Sequence, residues 1–301
     1  MLMDEAIREY GFDCKVRKLS QKTIDNYLKQ LKYLQRFLLR EFQIQNVEDV
    51  RKNHIKRFLA EMDDRGRKPR YINDLLKVFK TFFSYLLNER YISESPTDSV
   101  KNMKMPKVKI LTFNSKEIRA LLEYYNGKDF LSVRNRTMLA LFFDTGMRLS
   151  EVIMMEANQI HEDFILVHGK GAKERLVPVS PYLAKSLMQY RLVREKHFEG
   201  YKLPERYLFV SRTGKKLTAE AITKFLKKAA RDVGVNDQIR VSPHTCRHTF
   251  AHMQLKNGLD LYSLSRVMGH ENVAVTQRYL EGLEDKEVVE AAIKTGVLAH
   301  L

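Results

Sequence analysis

Cysteine is scarce: Cys14 and Cys246 are the only two in 301 residues. Two thiols make neither a disulfide framework nor a thiolate-rich zinc site, so a reduced, cytoplasmic setting is expected. Long apolar runs are lacking as well. No stretch of about 18 consecutive apolar residues occurs, which excludes an evident membrane span. The opening segment MLMDEAIREYGFDCK carries acids and has no apolar h-region, so it does not read as a secretory signal. No segment fits G-x-x-x-x-G-K-[ST], and no nucleotide cofactor is expected. Internal repeats and low-complexity tracts are missing too. Acids are also in short supply: 37 Asp and Glu face 53 Lys and Arg, a formal charge of +16. Residues 1–110 hold 24 basic and 15 acidic residues, and residues 111–301 hold 29 and 22. Both halves are basic, which points to a polyanionic partner, nucleic acid above all.

What is present is 44% hydrophobic and 30% charged, enough for two cores in a chain of this length. The first hundred residues read as helices. In SQKTIDNYLKQLKYLQRFLLREF, Ser20 is an N-cap, and Ile24, Tyr27, Leu28, Leu31, Leu34, Leu38 and Leu39 fall near helical spacing. VEDVRKNHIKRFLAEMDDRG reads as a second helical region ending at Gly66. KPRYINDLLKVFKTFFSYLLNERYI is a third, its apolar face made by Leu75, Leu76, Phe79, Phe82, Phe83 and Leu86. These aromatics keep the helical period and read as core. Pro96, Pro106 and four lysines then break the pattern. The expected division is a helical domain at 1–104, a linker at 105–111 and a second domain at 112–301.

The second domain opens with a helix capped by Asn114 or Ser115, and VRNRTMLALFFDTGM continues helically to a break near Thr145-Gly146. FILVHGKGAKERLVPVS alternates and turns at Gly169–Ala172, a hairpin signal. RYLFVSRTGKKLT reads as a further short strand and turn, and everything after Thr218 as helical. The expected fold is mainly α, with a small antiparallel β-sheet in the second domain.

Four segments carry chemistry. In TGMRLSE, Arg148 follows a glycine turn and Glu151 sits three residues on, on the same helical face, where a carboxylate can aim a guanidinium. In GKGAKER, Lys173 sits at the hairpin turn, able to reach into a site. In SPHTCRH, Ser242 is an N-cap and Pro243 suits the first helical position. His244 then lies in the first turn, and Arg247 is three residues on. Imidazole, guanidinium and helix N-terminus together make a phosphate grip. In GHENVAVTQRY, Gly269 ends a helix, His270 follows in the turn, Asn272 caps a short helix and Tyr279 stands among polar neighbours. A zinc reading of His244, His248 and His252 fails: the outer two span two helical turns, and Arg247 repels a dication. His248 and His252 read as packing or orienting residues.

The ordered set TGMRLSE, GKGAKER, HTCRH and GHENVAVTQRY resembles the tyrosine recombinase, or phage integrase, family, in its simple Xer-like and transposon-borne members. The resemblance spans nearly the whole chain and implies an N-terminal core-binding domain and a C-terminal catalytic domain. It implies a site-specific recombinase that cleaves and rejoins duplex DNA through a 3′-phosphotyrosine, exchanging strands via a Holliday junction. Arg148, Lys173, His244, Arg247, His270 and Tyr279 match the family's catalytic positions, with Glu151 in support. Tyr279 would be the nucleophile, the two arginines would hold the phosphate, Lys173 would protonate the leaving oxygen, His244 would accept or relay the phenolic proton, and His270 would bond a phosphate oxygen. No cofactor and no metal is implied. The partners implied are double-stranded DNA with a specific core site and, from a free monomer, a homotetramer on two paired sites. A second recombinase or accessory protein in the synapse stays open, as does the choice among dimer resolution, integration and excision. The alternatives on the same scaffold are a non-cleaving DNA-binding factor and a type IB-like topoisomerase. Beyond Tyr279, the stripe Val288, Val289, Ala292, Ile293, Val297, Leu298 is expected to pack either on its own domain or on a neighbouring subunit.

Overall fold

The computed structural model describes residues 1–106, 110–169, 174–201, 206–277 and 279–280. Lys173 and the C-terminal stripe at 288–298 lie outside the described residues. The chain divides into two compact units, Met1–Lys107 and Val108–Leu301.

The first unit is four helices: α1 (Met3–Val16), α2 (Gln21–Phe42), α3 (Lys52–Asp64) and α4 (Pro69–Asn88). Ser20 caps α2 by accepting the Thr23 N–H at 3.3 Å, and Pro69 occupies the first position of α4, where its missing N–H costs nothing. The apolar stripes meet in one core. Phe79, Phe82 and Phe83 of α4 are fully buried, with Phe58 of α3 packed edge-on to Phe79 at 5.4 Å and Tyr10 of α1 edge-on to Phe82 at 5.4 Å. Such edge-to-face pairs bury area and add favourable quadrupole contacts. Leu39, read as part of the α2 stripe, is 49% exposed. The second helical region is also shorter than its sequence suggests. A single 3₁₀ turn, Val47–Asp49, precedes an extended Val50–Arg51, and α3 starts only at Lys52. The break is held by buried Val47 and Val50 and by His54 Nδ1, which accepts the Arg51 N–H at 3.0 Å.

Among the described residues of the second unit the helices are α5 (Ser115–Tyr124), α6 (Phe130–Thr145), α7 (Leu149–Met154), α8 (Pro181–His197), α9 (Ala219–Asp232), α10 (Pro243–Lys256), α11 (Leu261–Met268) and α12 (Ala274–Gln277). Two antiparallel strands, β1 (Phe164–His168) and β2 (Glu174–Pro178), pair buried Ile165 with buried Val177, while residues 170–172 of the expected turn lie outside the described residues. Asn114, rather than Ser115, caps α5 through the Glu117 N–H. Helix α6 runs through the core, buried on nearly every side, and ends at Gly146 with φ +59°.

The segment RYLFVSRTGKKLT forms isolated bridges, Glu156 with Tyr207 and Val210 with Lys216, not a strand. Leu208, Phe209 and Val210 are all buried, which no half-exposed strand allows. Side chains take their carbonyls instead: Tyr190 Oη donates to Leu208 O at 3.0 Å and Arg134 Nη1 to Val210 O at 3.0 Å. Among the described residues, no helix is long and apolar enough to cross a membrane.

Candidate active site

The site is assembled at helix ends. Thr145 closes α6, Gly146 turns in the left-handed region, and Arg148 becomes the N-cap of α7. A side chain at Gly146 is excluded twice over: φ is +59°, and a Cβ there would lie 2.3 Å from Phe250 Cδ1 of α10. Glu151, one turn into α7, accepts the Arg148 backbone N–H at 2.7 Å and its Nη1 at 3.0 Å. Arg148 Nη2 donates to Gly269 O at 2.9 Å. The pairing expected from the i, i+3 spacing is therefore present, inside a capping arrangement.

Helix α10 supplies the second guanidinium. Ser242 accepts the Thr245 N–H at 3.1 Å, and Pro243 takes the first helical position. Arg247 is 3% exposed. Its Nη1 donates to Gly146 O at 2.6 Å, and its Nη2 donates to Met268 O at 2.7 Å and approaches His270 Nε2 at 3.0 Å. One arginine thus ties together the end of α6 and the turn after α11. Burial, and next the Arg148 charge, push the Arg247 guanidinium down to about 10, still protonated at neutral pH.

Gly269 ends α11 with φ +65°, and His270 follows in the turn. His270 Nδ1 lies 2.8 Å from Thr276 Oγ1 of α12, and Asn272 caps α12 by accepting the Ala274 N–H at 2.8 Å. With Nε2 accepting from Arg247, the proton of a neutral His270 sits on Nδ1 and is donated to Thr276.

Tyr279 comes just after α12 and is 3% exposed. Its ring lies parallel to that of His270, centroids 6.4 Å apart, and its hydroxyl is 3.1 Å from His248 Nδ1. The ring of His248 in turn meets that of His244 edge-on at 4.2 Å. His244 is exposed at the start of α10, whereas Arg247 and His248 are buried. Tyr262, the other tyrosine of this region, is 61% exposed and lies 3.4 Å from Arg266 Nη1. Of the residues singled out in the sequence, Arg148, Glu151, His244, Arg247, His270 and Tyr279 form one connected cluster, while Lys173 lies outside the described residues.

Two residues gain a place that the sequence did not suggest. Arg175 of β2 reaches Glu151 with both Nη atoms, at 2.9 and 2.7 Å, and donates its Nε to Val267 O at 2.8 Å. Its signal was alternation: Arg175 stands two residues before the core residue Val177, on the same face of the strand. His248, expected to pack or orient, touches the phenol itself. Among the described residues, no three His, Cys, Asp or Glu side chains group as metal ligands would. Arg148 and Arg175 bond one carboxylate, Glu151, and Arg247 lies close enough to feel its charge, so the cluster keeps excess positive charge and suits an anionic group.

Residues 112–285 match the phage integrase family, and residues 14–90 match the phage integrase N-terminal SAM-like domain. The tyrosine recombinase XerD of Staphylococcus aureus is 32% identical over 281 residues, covering 92% of this chain and 94% of that one. The tyrosine recombinase XerD of Halalkalibacterium halodurans is 31% identical over 265 residues, covering 87% and 88%. Among solved structures, the fold is similar to that of the XerH site-specific recombinase bound to a palindromic difH substrate in a post-cleavage complex. The TM-score is 0.75 at 19% identity, over 93% of this chain and 82% of that one. It is also similar to the Tn1549 transposon integrase in complex with transposon right end DNA, with a TM-score of 0.73 at 16% identity over 99% and 100%.

Proposed function

This chain belongs to the phage integrase family and is a tyrosine recombinase, a site-specific enzyme that cleaves and rejoins DNA; from that premise we propose how its own residues perform the reaction. A phosphodiester resists attack because its charge repels nucleophiles and its alkoxide leaves poorly. Arg148 and Arg247 bind the non-bridging oxygens and stabilise the charge that gathers on them in the pentacoordinate transition state. Their aim is preset: Glu151 holds Arg148, and the carbonyls of Gly146 and Met268 hold Arg247. Fixed donors need no reorganisation at the moment of reaction.

Tyr279 attacks phosphorus and forms a 3′-phosphotyrosine while the 5′ oxygen departs. Lys173 protonates that oxygen, and acid help of this kind is worth about 10²–10⁴-fold. His244 takes part in relaying the phenolic proton, and His270 bonds a phosphate oxygen. The phosphotyrosine ester retains the bond energy, so rejoining requires neither nucleotide nor metal. Glu151 and Arg175 touch no substrate in this scheme and act by positioning Arg148.

The observation that carries this reading is the meeting of Arg247, His270 and Tyr279: a guanidinium 3.0 Å from an imidazole that lies parallel to the phenol ring. The basic charge of both halves of the chain supports double-stranded DNA as the partner, gripped at a specific core site. The enzyme works in the cytoplasm, monomeric when free and tetrameric on two paired sites, with room for a second recombinase or an accessory protein. Exchange through a Holliday junction then serves dimer resolution or the movement of an integrated element.

The test begins by recovering covalent protein–DNA fragments from host DNA and mapping the cleavage site. A nicked duplex carrying that site is next incubated with protein, and adducts are read by denaturing electrophoresis. The wild-type chain gives a covalent band that resists omission of nucleotide and addition of EDTA. Tyr279→Phe gives no band while retaining half-site binding. An adduct retained by Tyr279→Phe moves the nucleophile elsewhere, with Tyr262 examined next.

A further inference from the structure

A neutral phenol is a weak nucleophile until a neighbouring base takes its proton. His270 is badly placed for this task, because Nε2 faces Arg247 at 3.0 Å and Nδ1 faces Thr276 at 2.8 Å. His248 is well placed. Its Nδ1 lies 3.1 Å from Tyr279 Oη, within the reach a general base requires. The pair is secluded: His248 is 9% exposed and Tyr279 3%. The rings are tilted by 59° with centroids 5.3 Å apart, so the contact runs through the ring edge and the hydroxyl, not through stacked faces. His248 is also the residue after Arg247 on α10, so one rigid helix carries both the phosphate-binding guanidinium and the group on the phenol.

We propose that His248 is a catalytic residue, the base that takes the phenolic proton as Tyr279 attacks. The inference rests on the reading of Tyr279 as nucleophile. His248 starts as the tautomer with its proton on Nε2, leaving Nδ1 open to accept. In cleavage the Tyr279 Oη–P bond forms and the P–O5′ bond breaks. The Oη proton passes to His248 Nδ1, giving an imidazolium, and the departing 5′ oxygen takes its proton from Lys173. In rejoining, the 5′ hydroxyl attacks phosphorus and returns its proton to Lys173. The Oη–P bond breaks, and the imidazolium gives its proton back to the phenolate. His244, whose ring packs edge-on against that of His248, holds the acceptor in place.

The test uses full-length protein and the nicked duplex carrying the mapped site. His248→Asn keeps a polar amide near the Nδ1 position but cannot take a proton at neutral pH. Half-site binding is expected to stay within a few-fold of wild type, and the single-turnover rate of adduct formation to fall by about 10²–10⁴-fold. Difluorotyrosine placed at position 279 makes the phenol more acidic and less dependent on a base. It should restore at least about tenfold of the lost rate in His248→Asn while changing the wild-type rate much less. A residue that only packs against the tyrosine would show no such rescue. A wild-type adduct rate in His248→Asn, or a loss that the acidified phenol leaves untouched, overturns the proposal.

A measurement on the unsubstituted protein keeps the question open to refutation should the variant not fold. Nitrogen-15 NMR of His248 is expected to show an unprotonated Nδ1 facing Tyr279, altered in Tyr279→Phe. A proton resident on Nδ1 overturns the proposal. An adduct formed by Tyr279→Phe would instead overturn the underlying assignment of the nucleophile, and the two failures are thereby told apart.

Discussion

Arg175 and Glu151 form a two-pronged ion pair, Nη1 to Oε1 at 2.9 Å and Nη2 to Oε2 at 2.7 Å, between side chains that are 10% and 7% exposed. The same carboxylate accepts the backbone N–H and Nη1 of Arg148, so one acid organises two arginines. A planar guanidinium matches a carboxylate fork in a way that an ammonium does not.

Arg175→Ala leaves a buried carboxylate without its main counter-charge and a carbonyl at Val267 without its donor. The expected loss of stability is about 3–5 kcal/mol, measured by urea unfolding at neutral pH. Arg175→Lys keeps the charge but not the fork and should fall between the two. A stability change below about 1 kcal/mol for Arg175→Ala would mean that solvent reaches Glu151 and replaces the pair.

The acid limb of stability reports on Glu151. Burial by itself would raise its carboxyl, but the hydrogen bonds and charge of Arg175, with those of Arg148, outweigh burial and hold it below its ordinary value of 4.5. An acid depressed in the folded state stabilises the fold above that ordinary value, and the contribution is lost as the pH falls through the folded value. Glu151→Gln should therefore be less stable than wild type at neutral pH, with the gap narrowing as the pH drops below 4.5. Urea melts at stepped pH measure the gap, and a constant difference across the acid range would remove Glu151 as the linked group.

Gly146 is the hinge on which the site's first two residues depend. Its φ of +59° costs an alanine roughly 1–2 kcal/mol. A Cβ 2.3 Å from Phe250 Cδ1 also forces the buried Phe250 ring to give way, on the same helix that carries Arg247. Gly146→Ala is expected to lower stability by about 2 kcal/mol or more and to slow adduct formation more than it weakens half-site binding. Thermal unfolding and the nicked-duplex assay read the two effects separately.

Binding to the mapped duplex should weaken steeply with salt. If six or more phosphates are neutralised, affinity falls about 10³-fold or more between roughly 50 and 200 mM monovalent salt. Arg247→Ala should change half-site affinity by less than about tenfold, because many other phosphate contacts remain, while lowering the cleavage rate by at least about 10²–10³-fold. A band-shift titration and a single-turnover time course, run side by side, check both. Equal losses in affinity and rate would reassign Arg247 to binding.

Local signals sufficed wherever the determining interaction is itself local. Ser20 and Ser242 cap their helices through an N–H three residues on, Gly269 takes the left-handed turn, and Arg148 meets Glu151 across a single helical turn. The apolar period of Leu75, Leu76, Phe79, Phe82, Phe83 and Leu86 likewise named the buried face of α4, since helical geometry alone brings those positions together. Order of motifs then identified the family, because four short segments in sequence are a far narrower condition than any one of them. Packing decided the rest. Whether Leu208–Val210 pairs as a strand depended on Tyr190 and Arg134 reaching its carbonyls from other elements. Glu151 finds Arg175 at a separation of 24 residues, Arg247 finds Gly146 at 101, and His248 finds Tyr279 at 31. No period of 2 or 3.6 residues encodes such meetings. They follow from how α6, α10 and the turns around α11 and α12 settle against one another, where each buried donor takes the acceptor that packing leaves within reach.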